Sequence, residues 1–310
     1  MCAIFGVLDY KGELTAAQRL HMVKALGTAA EIRGTDATGI AYFQKDKLCI
    51  QKAPRPAHKM NYRIPAEIQY IMGHTRMTTQ GNAAHNQNNH PFPGKAGKQK
   101  FALAHNGVLT NDLELRFSEN LPETQVETDS FVAVQLIEKE KEVTFLSIQK
   151  MAEKVQGSFS FTILDQKNNL YFVKGENPLI IYHYPELGLY LYASTSEILD
   201  NALFLLNMEN VNYKAIQLRI GDILRIDNHG KQETSSFKLT EQYSWFSPWT
   251  SFELPAQRHR SIGNHVTQQE YIQAVKTVAV FHGFEAEFID NLLFDGYTID
   301  DIEDMIYNRY

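Results

Sequence analysis

The chain has 310 residues, of which 44% are hydrophobic and 21% are charged. These proportions are those of an ordinary globular protein, and they exclude a disordered, collagenous or low-complexity chain. The formal charge of −6 gives no electrostatic reason to expect nucleic acid or an anionic membrane as the main partner. We therefore expect a small-molecule substrate.

The two cysteines, Cys2 and Cys49, are too few for a disulfide framework and are typical of a reducing compartment. No apolar run reaches the length of a membrane span. The first residues lack a basic leader, and Asp9 follows too early for a secretory signal. The sequence therefore predicts a cytoplasmic protein with no membrane partner.

Short apolar runs alternate with segments of helical spacing through the first two thirds of the chain. Helices are predicted at residues 14–30, 129–139, 144–155 and 196–206. Strands are predicted at residues 3–8, 39–43, 48–51, 71–75, 101–105, 158–164, 170–174, 179–184, 189–193 and 223–226. The hairpin-like runs in the second half favour antiparallel pairing in an α/β or α+β domain.

The character of the sequence changes near Gly230. Residues 231–266 are polar but carry large aromatic side chains, which favour packing on a surface: Tyr243, Trp245, Phe246, Trp249 and Phe252. Residues 267–310 begin with the spacing of a capping box and continue with apolar stripes typical of short helices. We therefore expect a domain over 2–230, a connecting segment over 231–266 and a small helical tail over 267–310.

Cys2 is the most informative residue for chemistry. Removal of Met1 would leave a thiol and a free α-amine on one residue, and an amine with a pKa of about 7.7 to 8.0 can accept the thiol proton near neutral pH. The alternative is a buried strand cysteine, because free cysteine is among the most buried residue types. Position alone leaves both interpretations open.

Residues 71–81 run from a predicted strand into a polar turn. Arg76 in this turn can grip a carboxylate with its planar guanidinium, and Thr79 can add a hydroxyl. The alternative is that both side chains are solvated on a surface turn.

Two later motifs are equally ambiguous. Asn106 and Gly107 lie between apolar runs, where they form either a hairpin turn or an oxyanion hole of one side-chain amide and one backbone N–H. Asp129 precedes a predicted helix and either contributes to its cap or receives a substrate ammonium. Each motif is weak when it is taken singly.

Together, and in this order, the motifs resemble the glutaminase domains of class II, N-terminal-nucleophile glutamine amidotransferases. The resemblance rests on residues 2–6, 33–41, 74–76, 88–91, 105–107 and 128–130, and more faintly on 193–197 and 221–222. It covers roughly residues 2 to 225, the span of a whole glutaminase domain. It implies an α+β fold, a four-layer αββα sandwich of N-terminal-nucleophile hydrolase type, followed here by the small helical appendage.

The resemblance also implies roles for the matching residues. Cys2 is expected to attack the side-chain amide of glutamine, form a γ-glutamyl thioester and release ammonia. The other implied roles are an oxyanion hole for Asn106 and Gly107, substrate binding for Arg76, Thr79 and Asp129, and support of the site for Arg33 and His74.

Three positions depart from the family pattern. Met77 stands where Trp or Tyr is usual, Gln80 where one branch has His, and Asn89 where a small residue is usual. We expect these departures to alter gating or ammonia exit without touching the nucleophile, the oxyanion hole or the charged substrate clamp.

No metal is predicted, because His85, His90 and His105 lack the tight spacing of a zinc site. No cofactor is predicted either, and the residues after position 225 carry no phosphosugar, nucleotide or flavin motif. The residues after position 225 are too few for a fused synthase, so a separate synthase or acceptor-binding protein is the expected partner. Two other functions stay open: hydrolysis of another amide such as a γ-glutamyl conjugate, and an inactive binding or regulatory module that acts through the helical tail.

Overall fold

The computed structural model describes residues 2–239, residue 276 and residues 286–294. The chain divides into a first compact unit, residues 1–247, and a second, residues 248–310. Within the described residues, no helix is long and apolar enough to cross a membrane.

The described strands and helices follow one another in chain order. The strands are β1 (Ala3–Asp9), β2 (Ala37–Gln44), β3 (Lys47–Ala53), β4 (Tyr70–Arg76), β5 (Phe92–Ala96), β6 (Gln99–Leu109), β7 (Gly157–Asp165), β8 (Leu170–Lys174), β9 (Ile180–Tyr184), β10 (Leu189–Ala193), β11 (Lys214–Ile216), β12 (Asp222–Ile226) and β13 (Gln232–Ser236). The helices are α1 (Ala16–Ala29), α2 (Asp112–Ser118), α3 (Phe131–Lys139), α4 (Phe145–Lys154), α5 (Ser196–Leu206) and α6 (Ala286–Phe294).

Two antiparallel sheets form the centre of the first unit. The seven-stranded sheet has the order β11-β9-β10-β1-β4-β2-β3, and the six-stranded sheet has the order β13-β12-β8-β7-β6-β5. Helices α1 and α5 pack on the outer face of the first sheet, while α3 and α4 pack on the outer face of the second. A third apolar cluster fills the space between the two sheets. The described layers are therefore αββα, and the predicted α+β fold is confirmed.

Side-chain alternation along β1 explains how one strand serves two cores. Ala3, Phe5 and Val7 pack with α1 and α5. Ile4 and Leu8 point to the other side and pack against the second sheet. Successive side chains of a strand leave on opposite faces, so a strand that is covered by helices on one side and a sheet on the other is apolar throughout.

Capping residues set where two of the predicted helices begin. Thr15 accepts a hydrogen bond from the backbone N–H of Gln18 at 3.2 Å, and the Gln18 side chain accepts from the N–H of Thr15 at 2.8 Å. Thr144 and Ser147 form the same reciprocal arrangement at α4. These pairs satisfy backbone donors that have no partner inside the helix.

The predicted strands and helices of residues 3–226 are all present, but the sequence patterns do not predict α2, β5, β11 and β13. The three strands lie at sheet edges, where one side faces solvent and an apolar pattern is not required. Pro93 and Gly94 further obscure β5. Strand β13 lies beyond residue 230, and Phe237 after it is buried in the outer core of the second sheet.

Little of the predicted C-terminal region lies within the described residues. The aromatic run from Tyr243 to Phe252 and most of the predicted tail fall outside them. Helix α6 lies inside the predicted tail, and its Ile289 is buried. Asp290 of this helix forms an ion pair of 2.5 Å with Lys276.

A buried ion pair ties the end of β1 to α1. Arg19 Nη1 lies 2.7 Å from Asp9 Oδ2, and both side chains are almost fully buried. Asp9 also accepts the backbone N–H of Gly12 at 2.8 Å. Arg19 also donates to the carbonyl oxygens of Leu14 and Ala66.

Replacing Arg19 by Met should lower the free energy of unfolding by about 3 to 5 kcal/mol, because the Asp9 carboxylate would stay buried without its counter-charge. Urea unfolding followed by circular dichroism measures the loss. Lys139→Met, which breaks the more exposed pair with Glu119, is the matched control, with an expected loss of about 0 to 1 kcal/mol. Equal losses for the two variants would contradict the assignment.

Candidate active site

Strands β1 and β4 direct polar side chains into the space between the sheets. Ile4 and Met72 belong to the core between the sheets. Because side chains alternate, Cys2 continues the face of Ile4, and His74 and Arg76 continue the face of Met72. The two strands are paired with Ile4 opposite His74. The pairing therefore holds Cys2, His74 and Arg76 on one face.

The second sheet contributes Asn106 from β6. Ala102 and Ala104 belong to the core between the sheets, and Asn106 continues their face. Arg33, in the turn after α1, connects this residue with Cys2. Its Nε donates to the Cys2 carbonyl at 2.9 Å, and its Nη2 lies 3.5 Å from Asn106 Oδ1.

The Cys2 thiol lies 3.4 Å from the carbonyl oxygen of Met77, to which it donates. Desolvation of the sulfur raises the pKa of the Cys2 thiol, and the Met77 contact and the charge of Arg76 lower it by less. The thiol is therefore protonated at neutral pH, and a nucleophilic role requires a base.

The side-chain amide of Asn106 keeps an unused donor. Arg33 can only donate, so Oδ1 must be the atom of Asn106 that faces it. The buried Nδ2 then has no hydrogen-bond partner within the described residues. The backbone carbonyl of Asn106 accepts from Asn177 Nδ2 at 2.8 Å. Asn106 is thus held on two sides and presents a free N–H.

Gly107 is required where it stands. Its φ is +143°, and a Cβ there would lie 1.9 Å from the carbonyl oxygen of Ser158 on β7. Any other residue would have to displace the backbone of the neighbouring strand. Because Gly107 has no side chain, the backbone of β6 is uncovered at this point. Gly107 and Cys2 line the same cavity.

Arg76 is a buried cation with neutral partners. Its Nη1 donates to Asn89 Oδ1 at 2.8 Å, and its Nη2 donates to the carbonyl oxygens of Gln80 and Gly81. Among the residues that the structure describes, no carboxylate lies within ion-pair distance of this guanidinium. A buried charge without a counter-ion is costly, so this position favours an anionic ligand.

Asp129 is the corresponding buried anion. Its Oδ2 accepts the backbone N–H of Leu109 at 2.6 Å, and its Oδ1 accepts from the Ser130 hydroxyl at 3.3 Å. No cationic side chain of the described residues forms an ion pair with it. These contacts fix the carboxylate between the end of β6 and the start of α3.

One small cavity brings these groups together. Cys2, Arg76, Thr79, Gly107 and Asp129 all line it. Its volume of about 10 Å³ holds no more than one water molecule. Met77 and Gln80 also contribute to its wall, and a ligand of several heavy atoms fits only if part of the wall shifts outward.

Three buried histidines lie behind the cavity. His74 Nε2 donates to the His105 carbonyl at 3.0 Å, and His74 stacks on His90 with ring centroids 4.2 Å apart. His105 Nδ1 lies 2.8 Å from the Ser130 hydroxyl. Burial lowers the pKa of His74 to about 3, and it also lowers the pKa values of His90 and His105. All three rings are therefore neutral near pH 7.

These histidines do not form a metal centre with their neighbours. Among the described residues, no group of three or more His, Cys, Asp or Glu side chains has an arrangement that could hold a metal ion. Four ring nitrogens of the cluster are buried without a hydrogen-bond partner in the described chain.

The expectation that the three departures leave the site untouched is wrong for Asn89, whereas the hydrogen bonds of Met77 and Gln80 come from backbone carbonyls that any residue would supply. Asn89 and the carbonyl of Gln80 both accept hydrogen bonds from Arg76, and the carbonyl of Met77 accepts from Cys2. An amide at position 89 reaches the guanidinium, which a small side chain could not do. Sequence reasoning also missed Asn177, which lies in a turn with no motif.

Comparison with known proteins gives a family. A family model described as "Glutamine amidotransferase domain" matches residues 74–201. The glutamine--fructose-6-phosphate aminotransferase [isomerizing] of Aquifex aeolicus is 32% identical over 186 residues, which cover 57% of this chain and 30% of that enzyme. The chain carries a class II glutamine amidotransferase domain. The chain spans about a third of the length of the aminotransferases that it matches.

Two further relatives bear on this amidotransferase domain. The 7-cyano-7-deazaguanine synthase 2 of Sulfurisphaera tokodaii is 27% identical over 214 residues, which cover 66% of this chain and 45% of that protein. The solved structure of glutamine phosphoribosylpyrophosphate amidotransferase from B. subtilis, complexed with ADP and GMP, has a TM-score of 0.60 at 20% identity. The match covers 77% of this chain and 50% of that chain, and it shows a shared fold.

Acid should destabilise the amidotransferase domain through its histidine cluster. An unfolded histidine titrates near pH 6.5, whereas His74 stays neutral down to about pH 3. As the pH falls below 6.5, the unfolded chain takes up a proton that the folded chain does not, so stability falls by up to about 1.4 kcal/mol per pH unit for each such histidine.

His74→Gln, which keeps a donor for the His105 carbonyl, should therefore reduce the slope of unfolding free energy against pH by about 1 kcal/mol per pH unit between about pH 6.5 and 5. Urea unfolding at several pH values measures this slope. His21→Gln on the exposed face of α1 is the matched control. The same slope in both variants would contradict the prediction.

Proposed function

We propose that this chain hydrolyses the side-chain amide of glutamine with Cys2 as nucleophile and supplies the ammonia to an acceptor on a separate partner. One observation carries the proposal. Arg76 and Asp129 are both buried, and neither has an oppositely charged partner among the described residues. Both line one cavity with the Cys2 thiol.

An α-amino acid supplies the two missing charges. Its α-carboxylate would pair with Arg76 and its α-ammonium with Asp129, and charge-assisted hydrogen bonds of this kind are stronger than neutral ones. Thr79 would add a further contact at the exposed side of the cavity. With both charged groups bound, the side-chain amide of glutamine would extend toward the Cys2 thiol. Attack on the amide carbon requires this orientation.

The reaction begins once Met1 has been removed. The α-amine of Cys2 takes the thiol proton, which the desolvated sulfur does not release unaided, and the thiolate attacks the amide carbon. Asn106 Nδ2 and the backbone N–H of Gly107 donate to the oxygen that becomes negative. Arg33 supports this step by holding the Cys2 carbonyl and Asn106 Oδ1 in place.

The tetrahedral intermediate then collapses. The carbon–nitrogen bond breaks, the protonated amine donates its proton to the leaving nitrogen, and ammonia departs while the γ-glutamyl group stays on sulfur as a thioester. Water activated by the same amine attacks the thioester. Glutamate leaves, and the Cys2 thiol is restored.

The proposal also concerns where the acceptor of the ammonia lies. The aligned region covers 30% of the Aquifex aeolicus aminotransferase, so most of that enzyme has no aligned counterpart in this chain. We place the acceptor on a separate synthase or acceptor-binding protein. Two alternative functions compete with this proposal: hydrolysis of a γ-glutamyl conjugate, and an inactive regulatory role.

A diazoketone analogue of glutamine should add once to the protein, at Cys2, as measured by intact mass. The same spectrum should show loss of Met1. Cys2→Ala should abolish labelling and lower ammonia release from glutamine by about 10³-fold or more. Cys49→Ala, which removes the other cysteine, should change neither.

Retention of Met1 in normally processed protein, or labelling that does not depend on Cys2, would refute the proposal. Hydrolysis of γ-glutamyl conjugates without hydrolysis of glutamine would favour the second function. Absence of both reactions and of labelling in folded protein would favour the regulatory module.

The two charged residues should be separable with truncated substrates. Arg76→Gln and Asp129→Asn should each lower kcat/KM for glutamine by about 10² to 10³-fold, because each leaves one charged group of the substrate unpaired. For an analogue without the α-amine, the Asp129→Asn penalty should shrink, and for one without the α-carboxylate, the Arg76→Gln penalty should shrink. Equal penalties on both analogues would indicate general damage to the site and contradict the assignment.

A further inference from the structure

A second cavity lies apart from the Cys2 site, against strands β3 and β5 and the start of α3. Its volume is about 410 Å³, within the range of about 300 to 1,000 Å³ that is usual for small-molecule sites. Ile50, Phe92, Val126 and Phe131 give it an apolar wall, and Lys52 is its one charged lining residue. It shares no lining residue with the cavity at Cys2.

Lys52 is a largely buried cation without a counter-ion. Its Nζ donates to the carbonyl oxygens of Asn89 at 2.5 Å and Pro91 at 3.3 Å, so two of its three donors have partners. Within the described ranges, no carboxylate forms an ion pair with it. Burial, together with the charge of Arg76, lowers the pKa of Lys52 to about 8, so the amine is still mostly protonated at neutral pH.

The surroundings of Lys52 restrict what could pair with it. Its Nζ lies 5.2 Å from the centroid of the Phe92 ring, so the charge is next to an aromatic face. One cation with one remaining donor suits a monovalent anion better than a phosphate, which needs several donors. The apolar wall would cover a hydrocarbon body that enters with that anion.

We propose that this cavity binds a small organic carboxylate with an aromatic or branched apolar body. The carboxylate would pair with Lys52, and the apolar body would lie against the partly exposed side chains of Ile50, Val126 and Phe131. This proposal does not depend on the chemistry of Cys2, because none of the residues that it invokes lines the Cys2 cavity.

A pair of ligands of equal shape and different charge tests the proposal. Isothermal titration of the full chain with 3-phenylpropionate should give saturable binding at least about tenfold tighter than with the neutral 3-phenylpropionamide. Lys52→Met should remove this difference, while Lys52→Arg should keep most of it. Phe131→Ala should weaken binding of both ligands by a similar factor.

Lys47→Met, an exposed lysine on the same strand, is the matched control and should bind both ligands as the wild type does. If Lys52→Met does not fold, the wild-type comparison and the ¹³Cε chemical shift of Lys52 during the titration still decide the matter. Equal affinity for acid and amide, no saturable binding, or a Lys52 signal that does not move would overturn the proposal.

Discussion

The register of β1 against β4 is the constraint on which the candidate site depends. Ile4 lies opposite His74, and this pairing holds Cys2 on the same face as His74 and Arg76. A slip of β1 by one residue would send Cys2 to the helix-covered face, away from His74 and Arg76, since strand side chains alternate with a period of two. Ser194 reinforces the register at this end, because its hydroxyl accepts the backbone N–H of Ile4 at 2.9 Å.

The apolar core between the sheets makes the polar residues of the site possible. Each of three core residues has a polar side chain two positions away that points the same way. Cys2 comes two positions before Ile4, whereas His74 and Asn106 come two positions after Met72 and Ala104. The strands thus change from apolar to polar as they leave the core. Arg76 and Asp129 are buried at this rim, where hydrophobic packing deeper in the sandwich offsets the cost of their charges.

Burial decided how much of the fold could be predicted. Strands β8 and β10 have the bounds that the apolar pattern predicts, since both of their faces are covered. Strand β13 is polar and β5 contains Pro93, and both lie at a sheet edge where pairing on one side suffices.

The candidate site shows a similar division. Cys2, Arg76, Gly107 and Asp129 could be nominated from short motifs because each carries a functional group whose chemistry is evident locally, and the structure brings them around one cavity. The contacts of Asn89 and Asn177 could not be predicted from motifs. Each of these residues reaches a strand from a separate loop, and its partner is set only by the tertiary structure. Motif spacing therefore nominates the candidate residues, whereas the residues that hold them in place are identified only from the fold.

The three buried histidines keep a constant charge near neutral pH. With the pKa values of all three rings displaced below the ordinary range, none of them changes charge as the medium moves through neutrality. The electric field at the sulfur of Cys2 is then set by charged neighbours that include Arg33, Arg76 and Asp129. The imidazoles of His90 and His105 thus give the cavity at Cys2 a neutral, polarisable lining.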